Sequence, residues 1–593
     1  MKFYVKETNG PARIGDLLIN KKLIKSPNIL FLNTIRFKAP KFADVLISNR
    51  KIDIDKPCFF VSKQFVSPKD VTLKLHIKNI KQKNKYYVIT PKIEFIKDAI
   101  KNTKSIFFII SNSFQLLNNP KEFVDFIIRL RQKIGYQKII YLPTVGKPTN
   151  LALFSYLGID FFDSLSAIVA ARNNILFFPN GEFKKEELNE ISCNCPTCVK
   201  LKIKPSEMKF KDILSHNYYA LFNEIIQVRN AIYYGNIRNL VENRVKVDPK
   251  LTTILRNLDL YHYDYLEKRT SVTNKNKVIA TNKESLLRPE IKRYQKRIID
   301  RYKKPDSAKV LLLLPCSAKK PYSLSKSHKL FKKMIKISDN SFTIHEVIIT
   351  SPLGLVPREL ELVYPASSYD IPVTGVWDED EKKMIRNLLE LYLKNNSYEK
   401  IIAHIPKEIL EFSEDLLNNP IKTCVDHPTS KKSLNCLEKN LNNHLSKINK
   451  INSQKRLIED FESFASYQFG KNISKILLKD CIVRGKYPYK KIFYKNKQLG
   501  MIVFERGLIS LTIDGAKRIA NSKKYWVEIF DDFTLKGSIF APGVKDAYNE
   551  IRKGDEVIVF QKNKLCAVGV AQMNGEEMKE SSYGEAVKVR HKV

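Results

Sequence analysis

"AKVLLLLPCSAKKPYSLSKSHKLF", residues 308–331, opens with an apolar run of strand length and passes through a turn into a segment with the character of an amphipathic helix. Strand and helix in alternation are the signature of an α/β layer. The turn sets the functional question. Cys316 stands at the mouth of the strand with Ser317 beside it and Lys319 and Lys320 just behind. Such a loop suits a nucleophile, an anion cradle or an ordinary buried turn, and the spacing leaves all three open. Working outward, "IHEVIITSPLGLVP" and "EKIIAHIP" are further strand candidates, and "DEDEKKMIRNLLELYLKNN" is a second amphipathic helix. In that helix Met384, Leu388, Leu389 and Leu391 recur near helical spacing and read as core. Together these segments form an α/β unit over about 305–425.

Upstream, residues 1 to about 270 alternate short apolar runs ("NILFL", "ADVLIS", "SIFFIIS", "KIIYLP", "NILFFPNG") with helix-like segments such as "NNPKEFVDFIIRLRQKIG". That alternation predicts a second parallel layer or barrel. Residues 268–300 turn polar and basic and read as a linker running into a helix, and "HPTSKKSLNCLEKNLNNHLSKINKINSQKR" is another low-apolar separator. From about 455 the pattern becomes short β-like segments, with the turn signals "KGS", "APGV", "KGDE" and "QKNK" predicting a small terminal barrel.

Across 593 residues, 103 Lys plus Arg face 62 Asp plus Glu, a formal net charge of +41. An excess of that size predicts a polyanionic partner, and nucleic acid before a membrane surface. No run of eighteen apolar residues, signal-peptide pattern or lipidation motif is present, so a soluble cytoplasmic protein is expected, with no membrane partner. Nine cysteines, with one tight cluster, read as reduced thiols plus a metal site rather than a disulfide framework.

The cluster is "CNCPTC", with Cys193, Cys195 and Cys198, followed by His216 in "LSHNYYALF". Three soft thiolates and a helix-borne imidazole can fill a tetrahedral shell, which predicts a structural zinc with no position left for catalytic water. This pattern resembles the zinc site of tRNA-guanine transglycosylases, which are (β/α)8-barrel enzymes. "LPTVGKPTNLALFSYLGIDFFDSLSAIVAARNNILFFPNG" is similar to the archaeal segment that holds the base pocket, near Val145 and Gly146, and then the aspartate nucleophile, whose position falls on Asp163. Base exchange in that family also uses an acidic residue in an Asp-Ser-Gly-type loop near the N-terminus. "FLNTIRFKAPKFADVLISNRK" has no such loop. The barrel is therefore expected to be truncated, with the scaffold and zinc retained.

The C-terminal stretch from "VEIFDDFTLKGSIFAPGV" through "KGDEVIVF" resembles a PUA domain, with Lys536, Gly537 and Gly543 in the element that faces RNA in that family. The segment before it resembles the small α+β domain preceding PUA in archaeal transglycosylases. "PCSAKKPYSLSKSH" fits the Pro-Cys-Ser-x-x-Lys-Pro-Tyr-x-x-Ser-x-x-His signature of archaeosine synthases, through Cys316, Ser317, Lys320, Tyr322, Ser325 and His328. "SSYDIPVTGVW", 367–377, is similar to a second element of that family and contains Asp370.

The resemblance implies an enzyme that receives tRNA carrying preQ0, 7-cyano-7-deazaguanine, in its D-arm and adds an amino-acid nitrogen to the nitrile, with lysine the implied donor. A radical S-adenosylmethionine lyase would trim the adduct, and a homodimer is implied. Cys316 as thiolate can add to the nitrile, its pKa lowered by Lys319 or Lys320 and by the helix N-terminus. In the rival route the donor amine attacks directly, with Asp370 or His328 as base. Gly146, Tyr322 and Ser325 are candidate substrate contacts. The expected architecture is multidomain α/β and α+β: a truncated (β/α)8-type barrel with the zinc site over 1–270, a central three-layer α/β domain over 280–430, a small α+β domain over 450–518 and a PUA pseudo-barrel over 519–593. An active transglycosylase exchanging guanine for preQ0, or a non-catalytic tRNA-binding protein, is the alternative function.

Overall fold

The computed structural model describes residues 2–19, 21–48, 56–60, 86–101, 105–201, 204–338 and 340–593. Two units account for the chain: Met1–Thr270 with Phe540–Pro542 and Glu577–Gly584, and Ser271–Ile539 with Gly543–Glu576 and Glu585–Val593.

The first unit begins with an antiparallel meander of β1 (Lys2–Asn9), β2 (Ala12–Ile19) and β3 (Lys22–Ser26). Seven parallel strands follow: β4 (Asn28–Leu32), β5 (Leu46–Ser48), β6 (Cys58–Phe60), β7 (Tyr87–Ile89), β8 (Phe107–Ile110), β9 (Ile139–Tyr141) and β10 (Phe161–Asp163). Their order is β6-β5-β4-β10-β9-β8-β7, so the last strand lies beside the first, with Phe161–Asp163 in register with Asn28–Leu30. A cyclic order of parallel strands is how a βα barrel runs, and the seven described strands form an open arc of one. The helix Pro120–Ile134 follows the expectation for "NNPKEFVDFIIRLRQKIG": Asn119 caps it by accepting from the Glu122 N–H, Pro120 sits in the first turn, and Phe123, Phe126 and Ile127 are fully buried. "NILFFPNG" behaves differently from its neighbours. It forms β11 (Ile175–Phe178), which turns back on β12 (Gly181–Lys184) as an antiparallel hairpin outside the parallel sheet.

In the second unit the basic stretch read as a linker is structured. Within it β13 (Val278–Ile279) pairs with β17 (Tyr369–Asp370), and the helix Pro289–Asp300 buries Ile291, Tyr294 and Ile298. The main sheet has the order β16-β15-β14-β18-β19, with β14 (Val310–Pro315), β15 (Ile344–Thr350), β18 (Lys400–Ala403) and β19 (Ile421–Lys422) parallel and β16 (Gly354–Pro357) antiparallel at one edge. Leu311 to Leu314 have no exposed surface, because β14 is the central strand and is covered on both faces. Helix Glu379–Asn395 buries Ile385, Leu388, Leu389 and Tyr392, spaced by three, one and three. Leu391, assigned to that stripe from sequence, is instead 44% exposed. The second low-apolar stretch also folds, as helix Lys431–Leu445 with Leu437, Leu441 and Leu445 buried.

Downstream, the helices Ser453–Phe469 and Lys471–Leu478 precede a four-stranded antiparallel sheet over 482–511. The chain ends in a six-stranded sheet running from Trp526–Ile529 to Glu585–Lys592. No helix among the described residues is long and apolar enough to cross a membrane.

Candidate active site and metal-binding group

In the second unit β14 is flanked by β15 on one side and β18 on the other, so successive connections leave it in opposite directions. A crevice forms at the carboxyl ends of parallel strands where the chain diverges in this way. A cavity of about 420 Å³ lies there. Pro315, Cys316 and Ser317 come from the end of β14, Ser351 from the end of β15, Glu408 from beyond β18 and His427 from beyond β19. The loop Ile371–Trp377 completes the lining, so the two motif elements singled out in the sequence meet at one cavity. Glu381 anchors that side: Asp378 caps the helix Glu379–Asn395, the Asp378 N–H donates to Glu381 Oε2 at 3.0 Å, and Ser351 Oγ donates to Oε1 at 2.5 Å.

Burial pushes the Cys316 thiol above its ordinary pKa, although the Thr350 hydroxyl and the Lys320 charge pull it down. The expectation of a lowered thiol is thus corrected, because desolvation of the thiolate outweighs both favourable groups. Burial also lowers Lys320, so the two groups' proton affinities move toward each other. Lys320 Nζ lies 4.0 Å above the Tyr369 ring. Beneath the loop the hydroxyls of Tyr322, Tyr369 and Thr350 form a buried chain.

Several motif residues do not line this cavity. Ser325 caps helix Lys326–Ile337 by accepting from the His328 N–H. His328 is 1% exposed; its Nε2 meets the Pro315 carbonyl at 3.1 Å and its Nδ1 meets Arg358 Nη2 at 2.7 Å. The carbonyl must accept and the guanidinium must donate, so the ring is the neutral Nε2–H tautomer, and burial with the Arg358 charge lowers its pKa to about 3. A histidine with both nitrogens engaged in this way has no lone pair for a base, which corrects that candidate role. Asp370 is exposed, with Lys277 Nζ 3.8 Å away. Ser351, Glu381, Glu408 and His427 were missed from sequence; Ser351, Glu408 and His427 stand just beyond strand ends, the one signal that would have found them, whereas Glu381 sits in the first turn of a helix.

In the first unit, Asp163 ends β10 and is buried. Its Oδ2 accepts from Tyr141 OH at 2.7 Å and the Thr144 N–H at 3.0 Å, and its Oδ1 accepts from the Leu165 N–H at 2.8 Å. Burial nevertheless raises its pKa. Gly146 is packed by its own chain, because a Cβ there would come 3.0 Å from Phe162 Cβ. Lys536 and Gly537 lie on an exposed loop, whereas Gly543 gives room to the Phe533 ring, which a Cβ would approach to 2.5 Å.

Within Met1–Thr270 of the first unit, Cys193, Cys195, Cys198 and His216 bring four ligand atoms within 4.8 Å of one another and can hold a metal ion. Helix Phe210–Tyr233 carries His216, whose Nδ1 is 3.4 Å from Cys198 Sγ. Its Nε2 donates to the Phe177 carbonyl at 2.9 Å, which fixes the tautomer and leaves Nδ1 as donor to an ion.

Comparison with known proteins follows the same divisions. Residues 93–250 match the queuine tRNA-ribosyltransferase family model, 291–441 a domain of unknown function (DUF5591) and 531–593 the PUA domain. The archaeosine synthase subunit alpha of Methanosarcina acetivorans is 39% identical over 82% of this chain and 80% of its own length. The archaeosine synthase of Haloferax volcanii is 35% identical over 82% of each. The tRNA-guanine(15) transglycosylase of Methanobrevibacter smithii is 29% identical over 79% of this chain and 69% of its own. A ribosyltransferase-type α/β domain, a second α/β domain with a cysteine-lined crevice and a PUA domain on one chain define a tRNA-modifying enzyme. The chain belongs to the archaeosine synthase family.

Proposed function

We propose that the protein acts in the cytoplasm on preQ0 in the D-arm of tRNA and adds an amino-acid nitrogen across the nitrile, lysine being the donor. The observation that carries this reading is the position of Cys316 at the switch-point crevice, with the second motif element opposite it. In the first step the Cys316 Sγ–C bond forms as the nitrile triple bond becomes C=N, and the thiol proton passes by way of Lys320 to the nitrile nitrogen. That gives a thioimidate. In the second, the donor amine forms its N–C bond, the C–S bond breaks and an amine proton returns to sulfur. The net change is addition of an amine N–H across the nitrile with no leaving group, giving a substituted amidine that a radical S-adenosylmethionine lyase would trim. Ser317 and Glu381 would orient the substrates at the cavity wall, and the PUA loop with Lys536 would hold the RNA backbone.

The metal is a structural zinc. Cys193, Cys195, Cys198 and His216 would hold it, three thiolates and one imidazole being the donor set of a closed, non-catalytic zinc site. Its ligands tie the 193–198 loop to helix Phe210–Tyr233, and the protein is taken to be a homodimer. Asp163 is a structural carboxylate in this reading, accepting from the Tyr141 hydroxyl and from the Thr144 and Leu165 N–H groups at the end of its strand. Mass spectrometry of preQ0-tRNA incubated with lysine and this protein alone tests the proposal. A lysine adduct supports it, released guanine with free preQ0 indicates base exchange, and unaltered tRNA indicates binding only. Near-normal adduct formation by Cys316→Ala would rule out the thioimidate.

A further inference from the structure

A second cavity of about 430 Å³ lies elsewhere in the second unit, between the main sheet's helix Lys326–Ile337 and the segment 453–502. Nothing in the proposed chemistry uses it. We infer that it binds one nucleotide of the tRNA, with the phosphate on Lys332 and Lys490 and the base against Phe342 and Tyr487.

The charges on its wall decide the class of ligand. Arg358 is saturated by Glu346 and Glu361, and Arg456 by Asp460 and the carbonyls of Phe342 and Ile344. Glu359 accepts from Tyr302 OH and lies 3.4 Å from His345. Every carboxylate facing the space is therefore already paired. Lys332 and Lys336, one turn apart on the same helix, and Lys490 have no bonded side-chain partner among the described residues. The unpaired charge is positive. Burial lowers Lys490; the Asp460 carboxylate, itself bonded to Arg456, draws it back up, and the Lys332 ammonium pushes it down, so the two lysines repel each other. An anion between them relieves that repulsion. A free amino acid fits poorly, because its ammonium would find no open carboxylate.

The rim supplies the second half of the recognition. Phe342 is 43% exposed and Tyr487 41%, although both belong to the lining. Tyr487 OH donates to Glu361 Oε1 at 2.9 Å, which holds its ring in one orientation. Exposed rings beside ammonium groups are the elements of a sequence-tolerant nucleotide site, the rings stacking a base and the cations taking its phosphate. Gln454 and Ser341 offer hydrogen bonds to a ribose. The volume lies within the range of sites that enclose a small ligand.

The test uses the full chain and unmodified tRNA, so it does not depend on nitrile chemistry. Filter binding over a salt series should show Lys332→Gln/Lys490→Gln weakening tRNA about tenfold at 0.15 M salt and reducing the log–log salt slope by about one. Phe342→Ala should weaken binding roughly five- to tenfold with the slope unchanged. Lys490→Arg, which keeps the charge, should bind like the unaltered protein and shows that loss in the Gln variant is not misfolding. Unaltered affinity and slope in the double variant and in Phe342→Ala would overturn the inference. Calorimetry with AMP forms the second arm: if the variants lose AMP binding but keep tRNA binding, the site serves a free nucleotide and the assignment to tRNA falls.

Discussion

Acidification should weaken the second unit through His328, by an amount that the structure sets. The folded ring is held neutral, with a pKa near 3 against 6.5 when exposed. Between those values the unfolded chain binds a proton that the folded one refuses, so stability is complete above pH 6.5 and falls as pH falls. At pH 5.0, 1.5 units below the unfolded value, the loss is about 2 kcal/mol at 1.36 kcal/mol per unit; the ceiling, reached near pH 3, is about 5 kcal/mol. Both tryptophans, Trp377 and Trp526, lie in this unit, so urea unfolding followed by their fluorescence reports on it. His328→Gln keeps a donor and an acceptor without the titration. It should be less stable than the unaltered protein at pH 7 and should lose about 2 kcal/mol less on going to pH 5.0. His404, whose pKa is also lowered by burial, contributes equally to both and cancels in the difference. Parallel stability curves for the two proteins would refute the assignment of His328 as a buried neutral donor–acceptor.

Without an amine donor, mass-spectrometric detection of the Cys316 adduct on preQ0-tRNA should show its rate of formation climbing about tenfold per pH unit between pH 7 and 8.5, because burial keeps the thiol above its ordinary pKa. Lys320→Gln should slow it roughly tenfold, a charge worth about one pKa unit; a flat pH profile would speak against thiolate attack. His216→Asn should remove the bound metal as read by atomic emission and lower the melting temperature, whereas retained metal would place the site elsewhere. Asp163→Ala leaves the Tyr141 hydroxyl and the Thr144 and Leu165 N–H groups without their acceptor and should cost about 3 kcal/mol of local stability by hydrogen exchange. Its yield of lysine adduct per folded molecule should not change, and a selective loss of that yield would restore Asp163 to the chemistry.

The parts of this fold that were legible in sequence are those where local pattern and tertiary role agree. "KVLLLL" is a central strand and reads as one, and Ser325 begins the helix expected after the Cys316 loop. Segments whose burial is decided by distant partners were not. Residues 268–300 look like solvated linker, yet Val278–Ile279 pairs with Tyr369–Asp370, whose identity the local sequence does not announce. The hairpin at Ile175–Phe178 has the composition of its parallel neighbours, and only the short Pro179-Asn180-Gly181 connection marks the reversal. In the site, Cys316 and the 371–377 loop stood out by motif. Glu381 and Ser351 did not, because a serine and a glutamate acquire meaning only when two strand ends and a helix cap bring them together. The thiol's raised pKa was illegible for the same reason: nearby lysines are visible in sequence, whereas desolvation is a property of the fold.

His328 bonds at one nitrogen to Arg358, in the wall of the second cavity, and at the other to the Pro315 carbonyl at the edge of the first. The two cavities are therefore not separate loci for genetics. A substitution at this position injures both at once, and loss of turnover in such a variant would carry no information about which event failed. Epistasis offers the cleaner reading: lesions in Lys490 and in Cys316 should combine multiplicatively if the cavities work independently, and any departure would measure what passes through that one imidazole.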